Sequence, residues 1–171
     1  MGTLRVKVTD DLGKHWVDVA SGAGMRAGFK RRCSSPPSIP SGTPTAIPFT
    51  VVVDTSSYVF TANGASTLFN IPVAGLYSIH GNVAANNAVF PNGCFLMLYI
   101  NGMCAARTAA SRSHPFEDLR VSDTRSLAVG ATVGLYMYQE SGAAYSSIRT
   151  LATDTTLDPM QPALSCWRVS Y

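Results

Sequence analysis

From Leu76 to Ala84 the chain alternates: Tyr77, Ile79 and Val83 are apolar, while Ser78, His80 and Asn82 are polar. A period of two marks a strand with one buried face, and Pro72 and Gly75 set a corner just before it. Similar signals recur over residues 49–53, 58–62, 67–71, 94–100, 103–108, 116–127, 132–139 and 164–171. Turn-forming clusters divide them at Asn63-Gly64, Asn86-Asn87, Pro91-Asn92-Gly93, Asn101-Gly102 and Ser141-Gly142. No stretch repeats apolar residues at helical spacing. Segments 94–100 and 132–139 are apolar on both faces, which calls for cover on both sides. The pattern predicts an all-β chain whose main body is a β-sandwich of about 120 residues.

The first third reads differently. Leu4, Val6 and Val8 alternate with Arg5, Lys7 and Thr9; a turn follows at 10–14, and His15-Trp16-Val17-Asp18-Val19 returns as the second strand of a hairpin. Two strands alone are marginal in water, so this hairpin needs another surface to lie on. Residues 20–32 are glycine-rich and basic, with neither helical nor strand periodicity. Residues 34–48 hold five of the ten prolines and no charge, the composition of an extended spacer. The expected organisation is a docking arm at 1–33, a Ser/Pro-rich linker at 34–48 and a head at 49–171. Candidate docking residues are Leu4, Val6, Trp16 and Phe29 with the basic Arg26, Lys30, Arg31 and Arg32.

Only 13% of the residues are charged against 46% hydrophobic, about half the usual charged share of a soluble domain. That balance excludes a wholly disordered chain and suits a surface largely covered by partners. Residues 1–33 carry seven of the thirteen basic and three of the ten acidic residues, a charge of +4, leaving −1 for the rest. No apolar run reaches the ~18 residues of a membrane span, so membrane insertion is not expected. Arg5 and Lys7 interrupt the apolar segment that a signal peptide would need. Val6 stands where a myristoylation signal wants Ser or Thr. None of the seven asparagines opens a glycosylation sequon.

Candidate chemistry is sparse. His15, His80 and His114 lack a partner at metal-ligand spacing, and His80 reads as a surface or interface residue. Gly-x-Ser-x-Gly is absent, and Gly22-x-Gly24-x-x-x-Gly28 has the wrong spacing for a phosphate loop. Asp154 and Asp158 lack the density of a calcium loop and read as solvated acids. Cys33, Cys94, Cys104 and Cys166 contain no Cys-x-x-Cys. A two-residue turn at Asn101-Gly102 pairs Tyr99 with Cys104, which puts Cys94 on the opposite face from Cys104. All four read as reduced, small apolar residues. The basic cluster has one interleaved aromatic, Phe29, so acidic protein rather than nucleic acid is its expected partner. No catalytic residue, metal or cofactor is expected.

Four segments resemble the complement C1q-like and tumour necrosis factor-like jelly rolls. They are Phe69-x-Ile71-Pro72-x-x-Gly75-x-Tyr77; Leu98-Tyr99-Ile100-Asn101-Gly102; the phrase from Ser126 to Leu135; and the closing strand. Ala131 replaces that family's usual aspartate, and Ser165-Cys166-Trp167 replaces its Phe-x-Gly. The resemblance implies a jelly-roll homotrimer with one sheet of each subunit toward the three-fold axis. It places Tyr77, Ile79, Trp167 and Val169 in the trimer contact or the core. The amino-terminal hairpin resembles that of small minor tail proteins of actinobacterial phages. This implies a non-enzymatic virion protein, at the tail tip, whose partners are other tail proteins and a host-surface glycan or envelope. The loops at 85–92, 109–115, 142–147 and 153–162 are candidate contacts, with Asn86, Asn87, Arg112, His114 and Tyr145 among their residues. Rival readings are a capsid decoration or head-fibre protein, a secreted C1q/TNF-like ligand and a cell-wall glycan hydrolase.

Overall fold

A computed structural model describes residues 5–10, 13–18, 27–55, 60–86, 93–110, 116–146, 148 and 162–169. Every regular element among them is a strand. β1 (Arg5–Asp10) and β2 (Gly13–Asp18) form a two-stranded antiparallel sheet of their own, with Val6 opposite Val17 and Trp16 opposite Lys7. The remaining ten strands build two five-stranded sheets. One runs β10 (Phe116–Leu127), β7 (Gly75–Asn86), β12 (Ala163–Arg168), β3 (Gly28–Arg32), β5 (Val51–Thr55). The other runs β4 (Thr45–Ala46), β11 (Thr132–Gln139), β8 (Cys94–Ile100), β9 (Met103–Ala109), with β6 (Phe69–Asn70) also paired to β11. Two antiparallel sheets closed on one apolar core make a jelly-roll sandwich.

The alternation of β7 decides which residues fill that core. Tyr77, Ile79 and Val83 are buried, together with Leu164 and Cys166 of β12 and Leu119 and Val121 of β10. Leu96 and Leu98 of β8 and Val133, Leu135 and Met137 of β11 meet them from the other sheet. At Gly81 a Cβ would stand 2.5 Å from Leu135 Cδ1, so a residue without a side chain lets the two sheets close there. The corner before β7 buries Phe69 and Ile71, and the Tyr77 hydroxyl donates to the Val73 carbonyl at 2.7 Å. Tyr77 and Ile79 therefore take the core alternative of the sequence reading; they do not face outward as an intersubunit contact.

The turn between β8 and β9 has the expected register, Tyr99 with Cys104 and Ile100 with Met103. Asn101 (φ 51) and Gly102 (φ 76) both adopt the left-handed conformation that a tight hairpin of this type requires. Cys94 accordingly faces the core, and Cys104 is exposed.

The division at residues 33 and 48 is where the sequence expectation needs correction. Residues 28–32, read as part of a strap, are β3, hydrogen-bonded on one side to β12 and on the other to β5. Phe29 is 1% exposed, with its ring 4.7 Å from Phe69 and 5.1 Å from Phe60. Arg31 shares its inward side at the rim, with the guanidinium 5.1 Å from the Phe69 centroid. An arginine at an inward position broke the apolar period and hid the strand.

The proline-rich stretch is no free spacer either. Ile39 and Ile47 are fully buried. The Ile39 amide donates to the Tyr145 carbonyl (2.7 Å), the Gly42 amide to Gln139 (2.7 Å) and the Ile47 amide to Leu135 (2.9 Å). Pro40 and Pro44 stand between these donors, and Pro48 between Ile47 and Phe49, whose amide donates to the Ser66 carbonyl (2.8 Å); at those places a missing N–H leaves no ladder bond unmade. Of the expected strand at 58–62, the described part contributes one bridge, Ala62 with Phe69. The strand expected at 67–71 shortens to β6.

Candidate interaction face

The outer face of the β10-β7-β12-β3-β5 sheet has an ordered polarity. Residues opposite one another across antiparallel strands share a face, so the register defines rows. One row pairs Leu76 of β7 with Ser126 of β10, and the Val169 amide donates to the Leu76 carbonyl. The next runs Thr124, Ser78, Trp167, Gly28. The third runs Ser122, His80, Ser165, Lys30, Asp54, and the fourth Arg120, Asn82, Ala163, Arg32.

One end of this face is apolar and the other polar and basic. Val169 is 53% exposed and Leu76 and Trp167 are half-buried. The Trp167 ring lies across β3 at Gly28, where a Cβ would collide with it and come within 2.7 Å of the Cys166 carbonyl. Toward the other end, Lys30, His80, Asn82, Arg120 and Ser122 line a groove of about 460 Å³. His80 Nε2 is 2.8 Å from Ser78 Oγ, and Arg120 is held by Asp118 at 2.5 Å.

The expected docking set thus divides. Val6 and Trp16 lie on the hairpin; Leu4 and Arg26 lie outside the described residues. Phe29 is core, Arg31 covers Phe69, and Lys30 and Arg32 belong to the outer face of a sheet. Trp167 and Val169 reach that same face. Leu76 joins them, a residue missed because it sits at the first position of an alternating strand and reads as its edge. Among the candidate loops, Tyr145 is half-buried and bridged to Ile39. Asn87, Arg112, His114, Asp154 and Asp158 lie outside the described residues, as does the side chain of Asn86.

The second sheet's outer face answers the doubly apolar reading of β8 and β11. Phe95, Tyr99, Tyr136 and Tyr138 are half-buried there. Tyr99 and Tyr136 rings pack 4.4 Å apart, Phe95 and Tyr138 6.1 Å apart, and Arg107 lies 5.4 Å over Phe95. The Tyr138 hydroxyl donates to Glu140, and that bond holds the phenol proton above its ordinary range. These side chains supply part of their own cover.

Among the described residues no three His, Cys, Asp or Glu side chains gather as a metal site. Burial pushes the Cys166 thiol up to about 12 and the Cys33 thiol up to about 11, so neither is a nucleophile near neutrality. We expect iodoacetamide to label Cys104 alone in the folded protein, and all four cysteines after unfolding, by mass spectrometry. Stability should also fall as pH rises from about 9 toward 12, because the unfolded chain releases protons that the folded core retains. Labelling of native Cys166 at the rate of Cys104 would contradict both.

The two sheets and their strand order define a jelly-roll sandwich. Solved structures of murine APRIL, a tumour necrosis factor-family protein, share it. The pH 8.5 structure has a TM-score of 0.60 at 12% identity, covering 85% of this chain and 100% of that one. The pH 8.0 and pH 5.0 structures give 0.61 at 11% and 0.59 at 13%, with the same coverage. No family model and no curated protein matches the chain. At such identities the likeness is one of fold.

Proposed function

We propose that this chain is a non-enzymatic structural protein of a virion, a phage minor tail protein whose jelly-roll head assembles as a homotrimer. The head braces the tail or meets a glycan or envelope on the host surface. One observation carries the reading: a tumour necrosis factor-like sandwich whose outer face holds an apolar patch, Val169 exposed and Leu76 and Trp167 half-buried, follows a hairpin that forms a sheet of its own. The patch suits closure against second copies, since burying apolar area is the main favourable term in stable association. A two-stranded sheet is marginal alone, which suits docking on a neighbouring virion protein. The docking segment is residues 1–26, since Lys30, Arg31 and Arg32 are part of the sheet. Sedimentation of the purified chain should give a trimer, and its peptides should co-purify with tails. Recovery with capsids would favour a decoration or head-fibre role, and absence from particles would overturn the virion reading.

The fold shared with APRIL favours one second reading, a tumour necrosis factor-like ligand. It requires export from the producing cell and saturable binding to a cell-surface receptor. Retention of the protein in the producing cell until lysis would count against it.

A further inference from the structure

The basic end of the outer face makes sense as one part of a shared site. Lys30 makes no ion pair or hydrogen bond with any described residue, and Arg120 is tied to Asp118. Among the described residues three cations, Lys30, Arg32 and Arg120, stand on this face. Asp118 stands on it beside Arg120, and Asp54 takes the register position opposite Lys30 on β5. Around them the side chains are donors or amphoteric groups: His80, Asn82, Ser122 and Ser165. The net field favours an anion.

One subunit cannot enclose it. Lys30 on β3 and Arg120 on β10 are separated by three strand spacings, about 14 Å at ~4.8 Å each. The groove between them, about 460 Å³, is far larger than a tetrahedral oxyanion. The apolar patch lies on the same face, with Trp167 one row and Leu76 and Val169 two rows from Lys30 and His80. Closing that patch around a three-fold axis would bring the equivalent basic ends of the subunits together at one level of the axis.

We propose that copies joined through Leu76, Trp167 and Val169 share an oxyanion site built from Lys30, His80 and Arg120 of each, taking phosphate or sulfate. The site rests on the trimer reading, because no single copy completes it. Like charges brought together at low dielectric repel, and a divalent oxyanion converts that repulsion into charge-assisted hydrogen bonds. An anion that binds the assembled form and not the separate subunits stabilises assembly by mass action.

Sedimentation and thermal unfolding of the full chain, in sodium sulfate and in sodium chloride at matched ionic strength, test this. Sulfate should raise the trimer association constant at least about tenfold and raise the unfolding midpoint. Lys30→Gln and Arg120→Gln, both at exposed positions, should fold normally, lose the sulfate response and assemble better in chloride. A trimer indifferent to sulfate, or full sulfate response in both variants, overturns the site and leaves the trimer standing. A monomer in both salts overturns the trimer and the shared site together. Sulfate bound tightly by a monomer would show a single-copy site and defeat the proposal.

Discussion

Removing residues 1–33 should unfold the protein, whereas removing residues 1–25 should leave the sandwich intact. The longer deletion takes away β3, a strand with partners on both sides. It strips Ala27, Phe29 and Cys33 from the core and the hydrogen bond that the Arg168 amide donates to the Ala27 carbonyl. Truncating one buried Phe to Ala costs about 3–5 kcal/mol, against a total stability of about 5–15 kcal/mol. Losing the whole strand also orphans ladder groups on β12 and β5. Circular dichroism and thermal scans of the two truncations check this. Cooperative unfolding of the 34–171 fragment would mean that β3 is dispensable.

A single substitution, Gln139→Leu, should be nearly as informative. Among the described residues Gln139 is the buried polar one, at 0% exposure. Its Nε2 donates to the Ile39 carbonyl at 2.9 Å and the Ala143 carbonyl at 2.7 Å, and its Oε1 accepts from the Ser141 amide at 2.6 Å. It thereby fastens the proline-rich segment and the turn after β11 to the same point. Leucine fills the volume and leaves those backbone groups unpaired, each costing about 1–3 kcal/mol if it stays dry. The net loss should be about 3 kcal/mol, a fall in unfolding midpoint of roughly 6–12 °C. Hydrogen exchange should show accelerated opening at Ile39 and Ser141, while the β7–β10 ladder stays protected. An unchanged midpoint would mean that another partner satisfies those groups.

Both results turn on residues that looked like surface or linker in the sequence. Lys30-Arg31-Arg32 is a basic run, and nothing local says that Arg31 lies inward over Phe69. Ile39 and Ile47 are isolated apolar residues among prolines, below any periodic threshold. Gln139 ends a strand as polar residues often do. The face carrying Trp167, Leu76 and Lys30 was legible only in parts, because its members come from three strands far apart in the chain. Where the signal was local it sufficed: the Asn101-Gly102 turn fixed the register of Cys104, and the alternation after Gly75 fixed which side of β7 is buried.

Period-two patterning and turn residues determined by themselves that this is an all-strand sandwich, while its jelly-roll topology was legible through the resemblance of four segments, the corner at Pro72 and Gly75 first among them. Those features act over a few residues, through backbone conformation and the burial of one face. Strand neighbours are set by contacts distant in sequence, so only the tertiary structure decided that β3 lies between β12 and β5. The same long-range pairing decided that a basic trough and an apolar patch share one face.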